Sequence, residues 1–89
     1  MQTPRLPTIH DIRYQNSIKV LIRARKDSGL SQLDLALKMG LSQPDISKIE
    51  RFERRLDVTE FMDVLYTVSN GDLEILNKIW NEICECHNR

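Results

Sequence analysis

The sequence predicts an all-α domain of five helices, the last of them longer than the two short ones in the middle. Three observations carry this. Apolar residues recur three and four apart through most of the 89 residues, and no run alternates as a half-buried strand would. Helix-start signals, a Ser or Asp answered three residues later by an acid, occur at Ser31/Asp34, Ser42/Asp45 and Asp57/Glu60. Glycine follows the periodic runs at Gly29, Gly40 and, after Asn70, Gly71.

In chain order, residues 1–16 contain Pro4 and Pro7 and show no period, and are read as an N-terminal arm. The first helix follows, with Ser17 as a possible cap, Ile18, Leu21, Ile22 and Arg25 on one face, and Gly29 closing it. Two short helices start alike, at Ser31-Gln-Leu-Asp34 and Ser42-Gln-Pro-Asp45. Pro44 falls in the first turn, where its missing N–H has no intrahelical partner to lose. Only a short turn around Gly40 separates these helices, so they must cross steeply. The fourth helix is capped by Asp57 and Glu60, with Leu56 and Phe61 at the staple positions. Val58, Phe61, Met62, Leu65 and Val68 are its expected buried face. Asp72 opens the fifth, whose stripe of Leu73, Leu76, Trp80, Ile83 and His87 is widened by Ile75, Ile79 and Cys86. The expected organisation is an arm (1–16), a core unit (17–69) and a C-terminal helix (70–89) that closes the core or makes a dimer.

Charge is balanced overall, thirteen Lys and Arg against thirteen Asp and Glu, but it is not balanced along the chain. Residues 1–55 hold eleven basic against six acidic side chains, and residues 56–89 hold two against seven. That division points to one face for a polyanion and another for something else, although helix faces that merely differ in sign would look the same. No apolar run reaches the roughly 18 residues a membrane span needs, and the N-terminus has no apolar core of a secretory signal. With only Cys84 and Cys86 present, two apart on a helix and facing different ways, a reduced cytoplasm is the expected setting.

Gln32 to Ile49 forms one constellation. Leu35 and Ala36 face inward from one short helix, Gly40 marks the turn between Met39 and Leu41, and Ile46 and Ile49 anchor the other. A small residue where helices touch and a glycine where φ must be positive are what two short crossed helices require. Over residues 17–69 the pattern resembles the Xre, or phage-repressor (lambda-repressor-like), helix-turn-helix domain. The resemblance implies a five-helix fold whose second short helix enters the major groove of double-stranded DNA.

The residues of that helix fit the implication. Ile46, Ile49 and Glu50 share one face, and Gln43, Pro44, Ser47, Lys48 and Arg51 the other. Gln43 and Lys48 are expected at base edges, since Gln pairs with adenine and Lys with guanine or phosphate. For Ser47 and Pro44, base contact and an ordinary solvated face explain the residue equally well. Asp45 is read as a cap. Gln32 resembles the family's phosphate-contacting glutamine, at a helix N-terminus that adds its own N–H groups. Ser42, Arg51, Arg54 and Arg55 complete the expected phosphate set, with pairing of some arginines to Glu53 or Asp57 as the alternative. Arg25 and Glu50 each sit on the apolar face of their own helix, and two misplaced opposite charges imply each other. The family's Arg–Glu pair agrees. One departure stands out: Phe52 occupies a position where related domains carry the glycine of a left-handed helix end, so a longer helix or a different loop is expected there.

Ile79, Trp80 and Ile83 are the expected seam of a two-fold homodimer. No metal or other cofactor is expected. Cys84 and His87 lie three apart, but structural zinc needs four ligands. No nucleophile–base set or phosphate-cradling loop is present to support an enzyme. The expected function is a dimeric repressor. The alternative is an antitoxin-type module whose acidic half or arm holds a partner protein such as a toxin.

Overall fold

The structure, a computed structural model, describes residues 9–87. Among them are five helices: α1 (Ile12–Asp27), α2 (Gln32–Met39), α3 (Gln43–Glu50), α4 (Val58–Val68) and α5 (Leu73–His87). The core joins all five, through Ile18, Leu21, Leu35, Ala36, Ile46, Ile49, Leu56, Val64, Leu65, Val68, Ile79 and Ile83. α5 lies chiefly against α1, α2 crosses α3, and α4 touches α1, α2 and α5. Ala36 is wholly buried, as a helix crossing with no room for a larger side chain demands.

Local chemistry sets most boundaries. Ser31, Ser42 and Asp57 each accept from the backbone N–H three residues on, and Asp34, Asp45 and Glu60 each bond back to the cap's N–H. Two N–H groups that a helix start would otherwise leave unpaired are satisfied in each box. Asp72 opens α5 by accepting from the N–H groups of Glu74 and Ile75.

Three expectations are corrected. α1 begins at Ile12, and Asp11 caps it by accepting from the Arg13 N–H at 2.8 Å. Ser17 is inside the helix, its hydroxyl donating to the Arg13 carbonyl. Residues 12–16 therefore belong to the helix and not to the arm; residues 1–8 of that expected arm lie outside the described residues. The extension is held by Tyr14, whose ring packs on the core and whose hydroxyl accepts from the Leu56 N–H at 3.0 Å. Next, the buried face of α4 is Val64, Leu65 and Val68, with Phe61 packed beside them, while Val58 and Met62 are exposed. The apolar stripe of α4 is wider than the surface available to cover it. Finally, α3 does not run on at Phe52. It stops at Glu50, and Phe52 takes φ +63°. The Glu53 N–H reaches the Lys48 carbonyl and the Phe52 N–H that of Ile49, the paired bonds of a glycine-type helix end built on phenylalanine. A left-handed non-glycine residue costs roughly 1–2 kcal/mol. Packing of the Phe52 ring against the core offsets it.

Candidate nucleic-acid interface

α3 buries Ile46 and Ile49 and turns its other side outward: Pro44, Lys48 and Arg51 are exposed, and Gln43 and Ser47 are half-buried. Ser42 and Asp45 hold the N-terminal turn. The Asp45 carboxyl is kept below its usual range, first by the Ser42 backbone N–H and then by the Ser42 hydroxyl, as Asp34 is by Ser31. The Ser42 oxygen accepts from the Asp45 N–H at 3.2 Å.

Behind α3 a polar network crosses three helices. Arg25 grips Glu50 with two bonds, Nε to Oε2 at 2.7 Å and Nη2 to Oε1 at 3.0 Å, and its Nη1 donates to the Leu30 carbonyl. The side chains are only 9% and 12% exposed, so this is the buried pair expected from the two misplaced charges. Gln32 Nε2 donates to Glu50 Oε1 at 2.9 Å, and Gln43 Nε2 donates to Gln32 Oε1 at 2.7 Å. Gln32 is thus half-buried at the junction of α2 and α3, with one amide N–H left over. The two glutamine links were not foreseen from sequence. A signal existed: both short helices carry glutamine as the residue after the cap, and crossed helices bring their first turns together.

The arginines divide. Arg51 donates to the Ser47 hydroxyl at 2.7 Å and pairs with Glu53, holding that carboxyl below its usual range. Arg54 is held by both oxygens of Glu60 at 3.1 and 2.9 Å, not by Glu53 or Asp57. Its hydrogen bonds lower the Glu60 carboxyl and raise the Arg54 guanidinium. Arg54 thereby ties the loop after α3 to the capping box of α4. Arg55 is exposed and lies 5.8 Å over the Tyr14 ring.

In α5, Ile79 and Ile83 are 5% and 6% exposed within a single chain, so the expected seam is corrected: two of its three residues belong to the protomer core. Trp80 remains 45% exposed, meeting Phe61 edge-on with ring centroids 6.4 Å apart. Among the described residues, no group of three or more His, Cys, Asp or Glu side chains is placed to hold a metal ion, and no helix is long and apolar enough to cross a membrane.

Two short capped helices crossing around Gly40, with the second exposing a polar face, define a helix-turn-helix protein. A family model described as helix-turn-helix matches residues 21–64. The chain belongs to that family, the helix-turn-helix domains of the Xre and lambda-repressor type, a family of DNA-binding transcription regulators. No curated protein matches the chain.

Proposed function

We propose that the protein is a sequence-specific repressor that binds double-stranded DNA as a dimer, with α3 in the major groove. One observation carries the reading: α3 exposes Pro44 and Lys48 and leaves Gln43 and Ser47 half-exposed, while its opposite face is sealed by Ile46 and Ile49. Gln43, Pro44, Ser47 and Lys48 read base edges. Gln32, Ser42, Arg51 and Arg55 contact phosphate, and Arg54 does so by exchanging Glu60 for a phosphate oxygen. The dimer forms through the exposed Trp80, since Ile79 and Ile83 are occupied in the core.

The test is binding of the purified protein to its own upstream DNA across a salt series. A steep loss with salt together with preference over random duplex is expected. Gln43→Ala should relax sequence preference more than it weakens binding to random DNA, and equal loss on both removes Gln43 as a base reader.

A second reading, an antitoxin-type module that also holds a partner protein, is favoured by the other half of the molecule. Val58, Met62, Tyr66, Leu73 and Trp80 are exposed there, and residues 56–88 contain a single basic residue, Lys78. Exposed apolar side chains on an acidic segment suit a basic partner. Sedimentation decides between the two uses of this surface. A wild-type dimer made monomeric by Trp80→Asp supports self-association, and a wild-type monomer favours the partner.

A further inference from the structure

We propose that the groove between α1 and α5 is a binding site for a small amphoteric molecule, one that carries an ammonium and a carboxylate on an apolar body. A free apolar amino acid is the simplest member of that class. The groove holds about 460 Å3, within the range of small-molecule sites. Its floor is apolar. Val68 and Ile79 reach it from the core, 2% and 5% exposed. Ala24 lines it from α1 and brings only a methyl group, which leaves the space unfilled. Ile75 also lines it, is 45% exposed, and gains cover from an apolar occupant.

The charges around this floor select the occupant. Arg23 and Asp27 line the groove from α1 and answer each other at 3.8 Å. Lys78 and Glu82 line it from α5, and their side chains make no hydrogen bond or ion pair among the described residues. Four residues apart on one helix, they present a cation and an anion about 6 Å from each other. A purely anionic ligand would meet Glu82 and Asp27, and a purely cationic one Lys78 and Arg23. A ligand whose carboxylate meets Lys78 and whose ammonium meets Glu82 faces its own sign with neither group. A dimer built on Trp80 leaves the groove open. Residues 78 and 80 lie about 200° apart round a helix. The Lys78 flank of α5 borders α1, and the Trp80 flank meets Phe61 of α4.

The experiment titrates the full chain with L-phenylalanine and with L-leucine and follows the backbone and methyl resonances by NMR. Saturable shifts are expected at Ala24, Val68, Ile75 and Ile79, with a Kd on the order of 1 mM for so small a ligand. Phenylalaninamide lacks the carboxylate and N-acetylphenylalanine lacks the ammonium, and each should bind about fivefold more weakly. Lys78→Met with Glu82→Gln changes only the rim and should weaken L-phenylalanine to the level of those analogues. Ala24→Met fills the floor and should abolish the shifts. Absence of saturable shifts with both amino acids overturns the proposal, as does binding of either analogue as tight as that of L-phenylalanine. Shifts at the same four residues on raising protein concentration alone would assign the groove to a second copy of the chain and overturn it too.

Discussion

α2 and α3 begin as near copies and end as different devices. Each is eight residues long, each opens on Ser-Gln-x-Asp, and each has a complete capping box. They differ in what lies beyond the box. The glutamine of α2 is anchored inward on Glu50, and the glutamine of α3 is held by the first and directed outward. α2 ends on Gly40 at φ +71°, with open space around it, and α3 ends through Phe52 at φ +63°, packed on the core. The same local code starts a supporting helix and a presenting one. Position in the fold assigns the two parts.

The largest expected effect breaks what both helices share. Glu50→Ala leaves Arg25 buried without its carboxylate and Gln32 without its acceptor, and should cost about 3 kcal/mol in chemical denaturation. A change within error would remove the pair as a structural anchor. Smaller effects sharpen the contrast between the helix ends. Gly40→Ala meets no neighbour and loses only backbone ease, about 1 kcal/mol. At Phe52 the ring's packing is lost either way, so Phe52→Gly should be more stable than Phe52→Ala by about 1 kcal/mol. The reverse order would mean that the left-handed turn is not kept in solution. Ser31→Ala and Ser42→Ala should each cost about 1 kcal/mol, and should match each other because the boxes match. Least is the effect of pH. The Asp34, Asp45, Glu53 and Glu60 carboxyls are all held below their ordinary values in the folded state. Their contribution is complete above the unfolded carboxylate range, about pH 4, and is lost as pH falls through the lowered folded values. The melting temperature should be flat with respect to these groups at neutral pH and decline in acid. Replacing Asp34 and Asp45 together by Asn should shallow that decline.

Five helices, three capping boxes and the Arg25–Glu50 pair were legible in the sequence because each depends on residues at fixed spacing or on a charge out of place. What escaped had no such mark. The first turns of α1 are held by Tyr14, which packs on the core and bonds to Leu56, 42 residues away. The apolar positions of α4 and α5 exceed what one core can cover. Spacing showed both stripes, and only packing decided that Ile79 and Ile83 go inside while Val58, Met62 and Trp80 stay out.

The sequence by itself determined where helices start and stop and which of their faces are apolar, since caps, glycines and periodicity act over a few residues. The tertiary structure decided which glutamine supports and which presents, and which arginine clasps Glu60. It also decided that Phe52 takes the left-handed turn instead of extending α3. Those outcomes depend on side chains far apart in the chain meeting at one place, and a hydrogen bond or a packed ring between them has no local signature.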